Sequence, residues 1–297
     1  MMKYKSKAWQ CAAMGLCMVA FSYGALHLMN LYIGTMHHKV AILLTRIAAT
    51  MLCFLFPAYI GLIQLSHRYK VRKISLLVQD LTSQHILSLS LLGVMLVCPA
   101  SLLMDMVQAT LQLFGVTLSQ PAASVLDSSL FLPNLLGSAV IAPISEELFF
   151  RFYLILAFDY FGEAKAVWMS AFFFALAHGV NMAFLPHLLL GVLLGKLLLR
   201  TRSMAAPMLV HGCYNASLLL LSYSGAAGLL FGNTMFSYAV RLLGTVFCWR
   251  AYLKAYRKPA SVYKLQRGAK LNKREIALII VAILAMTAAG MTGVNAL

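Results

Sequence analysis

The sequence predicts an all-α fold, a polytopic transmembrane helical bundle of about eight or nine spans. Three observations predict it. The chain is 62% hydrophobic and 11% charged, with a mean hydropathy of +0.84, where a soluble domain carries roughly 25% charged residues. Apolar stretches long enough to cross a hydrocarbon core of roughly 30 Å recur along the whole length. Basic residues gather in alternate loops, which is how a membrane chain sets its orientation. The longest polar stretch, near residues 254–275, is too short to bury a core of its own, so residues 1–297 read as a single membrane domain.

Taken in order, the first apolar segment lies near 8–33, behind Lys3, Lys5 and Lys7. It is too long for a secretory h-region and lacks a convincing small-residue cleavage site, so it reads as a retained span. The second, near 40–65, is followed by Arg68, Lys70, Arg72 and Lys73. The third and fourth lie near 86–113 and 129–158, and Pro186 divides a fifth, near 166–185, from a sixth, near 187–199. The sixth is short enough to be re-entrant or tilted, which gives the lower span count. Lys196, Arg200 and Arg202 precede a seventh near 204–222. An eighth near 235–253 runs into Arg250, Lys254, Arg257, Lys258, Lys264, Arg267, Lys270, Lys273 and Arg274, ahead of a ninth near 276–294. The loops near 114–128, 180–187 and 223–237 contain no Lys or Arg. With a cytoplasmic N-terminus every basic loop falls on the inner side. The net charge of +16 then reflects topology and attraction to the lipid bilayer, with no nucleic acid implied. A multi-pass protein of the plasma membrane is expected; the sequence does not give its oligomeric state.

Smaller features fit the same bundle. Cys11, Cys17, Cys53, Cys98, Cys213 and Cys248 all lie in apolar stretches and read as small buried hydrophobes. Gly191 and Gly195 form a GxxxG suited to close helix approach. Gly225, Gly228 and Gly232 suggest a flexible outer loop. Arg46 and Arg241 are expected to snorkel from span ends, and Asp105 and Asp127 to face water. Pro143 and Pro207 sit inside spans, where neighbours or a water cavity must re-satisfy the backbone.

Glu146 and Glu147 do not fit a packing role. The chain has only eight acidic residues, and a charge at mid-bilayer costs at least roughly 2.5–3.5 kcal/mol. Glu147 and Arg151 are i, i+4 neighbours in the favourable order for an ion pair. Glu146 is rotated about 100° from Glu147, so one carboxylate can be held by Arg151 while the other faces a cavity. Phe174 and His178 are i, i+4 in the next span, and His211 and Asn215 are i, i+4 in another. A lone intramembrane histidine or asparagine is most simply interhelical glue. Together with a carboxylate they supply other chemistry: a carboxylate beside a neutral imidazole can take a proton from water, and an imidazole and a carboxamide one turn apart can donate to an oxyanion. These are the parts for attack of water on an amide carbonyl.

EExxxR at 146–151, FxxxH at 174–178 and HxxxN at 211–215, in this order on successive membrane segments, resemble the CPBP family of intramembrane glutamic endopeptidases. That family is also called Abi or CAAX prenyl protease 2 and includes the Rce1-like enzymes. The resemblance covers about residues 129–222, a motif-bearing core. It implies that Glu146 activates water assisted by His178, and that His211 and Asn215 form the oxyanion hole. Glu147 and Arg151 would hold the helix and tune the site, with Phe174 in support. It also implies a conical cavity opening toward the cytoplasm, a peptide or protein substrate at the membrane, no metal and no cofactor, and a bacterial plasma membrane as the setting.

Competing readings are defined by what the sequence contains. Glu and His are zinc ligands, but there is no HExxH; the serine motif GxSG and the aspartyl motif GxGD are absent too. A non-catalytic interaction protein on the same bundle, such as a kinase scaffold or a bacteriocin self-immunity factor, would retain the same residues. A proton-relay transporter would use the glutamates, but the two halves show no repeat symmetry. One expectation is awkward. His178 falls about thirteen residues into its predicted span and His211 about seven into its own, a depth mismatch of roughly 9 Å.

Overall fold

The computed structural model of the protein describes residues 2–69, 81–118 and 128–256, and over these it is helical with no strand. Helix α1 is Met2–Ile33. Helix α2 runs over 39–69, as Lys39–Thr50, a π-helical turn Met51–Leu55 and Phe56–Tyr69. Helix α3 covers 83–112 as Ser83–Met95 and Val97–Gln112. Helix α4 covers 131–157 and is the most irregular, with π-helical turns at Gly137–Ile141 and Glu147–Leu154. Then follow α5 Glu163–Ala177, α6 Phe184–Thr201, α7 Ala205–Tyr223, the short α8 Ala227–Phe231 and α9 Met235–Tyr256.

Four stretches are long and apolar enough to cross a membrane: Gln10–Ile33, Lys39–Leu65, Ser83–Gln112 and Phe184–Thr201. Large apolar side chains point outward from several helices, among them Phe21, Leu28, Leu44, Leu87, Leu242 and Trp249, as lipid contact requires. The expected ninth span near 276–294, the basic residues from Arg257 to Arg274, Lys70, Arg72, Lys73 and Asp127 lie outside the described residues.

Where lipid is the solvent, burying apolar surface does not by itself drive helices together, so close packing has to. The centre of the bundle shows it. Phe54, Phe149, Phe150, Tyr153 and Phe174 are buried and meet in tilted and edge-on ring pairs. The Tyr23 hydroxyl of α1 donates to the Phe173 carbonyl of α5. Gly191 and Gly195 draw α6 onto α5: a Cβ on Gly191 would lie 2.9 Å from the Ala171 Cα, and one on Gly195 3.0 Å from Val167 Cγ1. The GxxxG is a packing seam.

Several expectations are corrected. The fifth span does not continue to residue 185. Helix α5 stops at Ala177, His178 forms its C-cap, and Gly179 takes a left-handed φ of +85°, a conformation that favours glycine. Asn181 builds the turn that follows. Its amide donates to the His178 carbonyl at 2.9 Å and its Oδ1 accepts from the Ala183 N–H at 2.9 Å. Pro186 therefore does not separate the helices; it sits in the first turn of α6, where its missing N–H costs nothing. Arg241 does not snorkel and Asp105 is not simply water-facing: Arg241 is fully buried, is paired with Asp105 of α3 and lies 4.5 Å over the Tyr238 ring. Two of the three glycines expected in a flexible loop belong to ordered structure, Gly228 within α8 and Gly232 as its C-cap. Cys17 is exposed and Cys213 half-buried, whereas Cys11, Cys53, Cys98 and Cys248 are buried.

Candidate active site

The irregularity of α4 begins with Pro143. In the π-helical turn before it, the Ala142 N–H bonds the Gly137 carbonyl five residues back. The next donor in that register would be residue 143, and proline has none. The Ser138 carbonyl is therefore left for an outside partner, and Asn215 of α7 supplies it, its amide donating to Ser138 O at 2.8 Å. Gly212, three residues before, sits so close that a Cβ there would lie 2.5 Å from the Ala139 carbonyl oxygen. Proline, wide turn, glycine and asparagine together fix α7 against α4, and His211 travels with it.

Three residues after Pro143 the chain presents Glu146, which is 8% exposed, and then Glu147, which is fully buried. Glu147 Oε1 lies 2.9 Å from Arg151 Nη1 and 2.9 Å from His211 Nδ1. The expected Glu147–Arg151 neighbourhood is present; the contact to His211 was not foreseen. Arg151 is itself fully buried and its guanidinium lies 4.0 Å from the Phe174 ring centroid, a desolvated cation over an aromatic face.

Glu146 points its other way, toward imidazoles. Its Oε2 is 3.8 Å from His178 Nε2 and 3.9 Å from His211 Nε2. Both rings are held from behind. His178 Nδ1 is 2.9 Å from the Phe174 carbonyl, and His211 Nδ1 faces Glu147. A carbonyl and a carboxylate only accept, so each Nδ1 donates, and the Nε2 of each ring faces Glu146. The feared depth mismatch does not arise, because α5 ends at Ala177 and both imidazoles reach the same carboxylate oxygen.

Phe174 is fully buried and central to the cluster. Its ring contacts Arg151, His178 at 4.6 Å between centroids, and His211 at 5.5 Å in an edge-on pair. Two residues that sequence reasoning missed join it: Asn181, which shapes the turn behind His178, and His187, whose ring stacks on His178 at 4.2 Å. The signal for Asn181 was the Gly179–Asn181 pair, which is turn chemistry. His187, beside Pro186, read as part of an outer turn.

Of the predicted residues, then, Glu146, Glu147, Arg151, Phe174, His178 and His211 form one contiguous cluster, with Asn215 one helical turn along α7. His178 retains some exposure, 27% of its side chain, while His211 has 2%. Among the described residues no group of three or more His, Cys, Asp or Glu side chains converges as metal ligands would. An apolar cleft of about 110 Å³ is lined by Leu96, Pro186, Leu190 and Tyr214 among others, from α3, α6 and α7.

Neither the curated proteins nor the solved structures include a match to this chain. The comparison with protein families does match residues 128–217 to the type II CAAX prenyl endopeptidase Rce1-like family. That stretch contains every residue of the cluster from Glu146 to Asn215, and over it the chain is similar to the Rce1-like proteins of the CPBP family.

Proposed function

We propose that the protein is an intramembrane endopeptidase in which Glu146, assisted by His178, activates water for attack on a peptide bond. The Rce1-like match over residues 128–217 and the apolar helices support a membrane protein of a protease family, with a peptide or protein as its substrate. The observation that carries the finer reading is the trio at Glu146 Oε2, with His178 Nε2 at 3.8 Å and His211 Nε2 at 3.9 Å. A carboxylate and a neutral imidazole lone pair are both acceptors and cannot bond each other, and at that separation they are well placed to share a bridging water. Such a water donates one hydrogen to each and turns an oxygen lone pair outward, toward a carbonyl carbon.

In the reaction the water proton passes to Glu146 as the oxygen bonds to the carbonyl carbon. The carbonyl oxygen becomes an oxyanion. Asn215 has a second amide N–H to give it, and His211 can donate from Nε2 when its ring carries both hydrogens, its Nδ1 side balanced by Glu147. The C–N bond then breaks as the nitrogen takes a proton from Glu146 by way of His178, leaving a carboxyl and an amine. Glu147 and Arg151 hold the geometry and set the local field. The scheme invokes no metal, cofactor or covalent intermediate. We place it in a plasma membrane of bacterial type, in about eight or nine spans, N-terminus cytoplasmic and cavity opening inward.

The test is to reconstitute purified protein with native membrane proteins in vesicles and count newly exposed α-amines by amine labelling and mass spectrometry. Glu146→Gln, of the same shape without the base, should reduce new ends by about 10²–10⁴-fold while inserting and purifying as the wild type does. Undiminished cleavage by the Gln variant would end the proposal. If deletion of the protein gives a cellular phenotype that Glu146→Gln rescues in full, the non-catalytic scaffold becomes the better reading.

A further inference from the structure

His178 has a weakness as a catalytic group. It is the C-cap of α5 rather than part of the helix, and its ring is tied by one hydrogen bond, from Nδ1 to the Phe174 carbonyl at 2.9 Å. A single bond leaves the ring free to swing about that axis, which would carry Nε2 away from Glu146. The plane has to be fixed from the face.

His187 lies over that face. The two imidazoles stack with centroids 4.2 Å apart and planes inclined by 24°. Phe174 is 4.6 Å from His178 and 6.1 Å from His187, so the three centroids form a near-right-angled triangle with His178 at the corner. One neighbour covers the ring's face and the other bounds it at the side.

The position of His187 follows from the α5–α6 seam. His187, Gly191 and Gly195 are spaced i, i+4, i+8 and share one face of α6. The two glycines press on Ala171 and Val167 of α5. One turn further along the same contact line, α5 reaches Phe174 and then His178, and α6 reaches His187. The close approach that the glycines permit is what brings the second imidazole into stacking distance.

We propose that His187 is a positioning residue for the reaction: its ring face, held by the Gly191–Gly195 seam, fixes the plane of His178 and so the aim of Nε2 at Glu146. The proposal rests on the assignment of His178 to the chemistry, and its experiment has a readout that does not depend on turnover. Diethyl pyrocarbonate acylates an accessible neutral imidazole nitrogen, and mass spectrometry of the peptide containing His178 gives the rate at that ring. In detergent-purified protein, His187→Ala and His187→Leu should raise the His178 rate about fivefold, the scale on which an aromatic stack holds a ring in place. His187→Phe, which restores a flat face, should stay within about twofold of wild type. Leu fills the volume, so a collapsed Ala variant does not decide the matter.

In the vesicle cleavage assay, kcat should fall about tenfold in the Leu variant, from misalignment rather than lost binding, with KM little changed and with Phe restoring it. Two results would overturn the proposal: unchanged His178 acylation in both Ala and Leu variants, or a Phe variant as reactive and as slow as Leu. Should the wild type cleave nothing while the acylation pattern holds, the endopeptidase reading fails and the positioning of His178 by His187 stands.

Discussion

Glu147 Oε1 serves two partners at once, Arg151 Nη1 and His211 Nδ1, each at 2.9 Å, in an interior where all three residues are at most 2% exposed. Such a unit holds only as a unit: removing one partner of a buried pair leaves a charge with nothing to balance it, at a cost of about 3–5 kcal/mol. Arg151→Ala should therefore destabilise the purified protein by that order, read as a lower thermal midpoint in detergent. Arg151→Lys should recover only part of it, because an ammonium lacks the planar face that lies over Phe174. A Lys variant as stable as wild type would show that charge alone suffices. At this scale the sequence was informative where the bland explanation is expensive. Carboxylates in hydrocarbon have to be accounted for, and Glu146, Glu147 and Arg151 stood out on that ground. His187 did not, since a histidine next to a proline has an ordinary solvated reading, and only the folded seam puts it on His178. Arg241 and Asp105 were misread for a related reason: 136 residues apart, each alone resembles an interfacial charge, and neither reveals the other.

Between elements, the decisive contact is that of α7 with the wide turn of α4. Hydropathy locates both helices but passes over the backbone irregularity between them, because a π-helical turn changes no side chain. The clue was Pro143, which forfeits the N–H that would close on Ser138 and leaves a carbonyl for Asn215. The same blindness carried a predicted span through His178 to residue 185: Gly179 and Asn181 are turn-formers embedded in apolar sequence, and the hydrophobic average outweighed them. Gly212→Ala tests the α4–α7 contact. The added methyl would meet the Ala139 carbonyl oxygen at 2.5 Å, and backbone cannot rotate away as a side chain can. Overpacking of this kind costs about 1–3 kcal/mol, so the thermal midpoint should drop. Proteolytic activity should fall further than stability, because the shift moves His211 relative to Glu147. A variant that loses stability in step with Gly212→Ser, but retains full turnover, would show that the cluster tolerates the displacement.

For the molecule as a whole, the question is how a short hairpin serves a site inside a membrane. Helix α5 has 15 residues, which at 1.5 Å each reach about 22 Å, less than the roughly 30 Å of hydrocarbon. Helix α6, with 18 residues, reaches about 27 Å, so it is α5 that falls short, and the turn after it has to complete the path. The irregular backbone from His178 to Ala183 then lies at membrane depth, which is tolerated only where protein or a water-filled recess satisfies it; Asn181 does part of this. The charge pattern predicts which surface is the root. Lys165 lies near the start of α5, and Lys196, Arg200 and Arg202 close α6, so both ends of the hairpin carry basic residues of the kind expected at an inner face. On the same reading the loop around Gly115 and the turn at His37 and His38 are expected on the opposite side. Fusing green fluorescent protein after Arg202 and alkaline phosphatase after Gly115, each in a truncated chain expressed in a bacterial inner membrane, reads both assignments. Fluorescence from the first and phosphatase activity from the second are expected, since each reporter works on one side only. Activity of phosphatase fused after Arg202 would invert the bundle, turn the root of the α5–α6 hairpin to the outside, and refute the cytoplasmic N-terminus together with an inward-opening cavity.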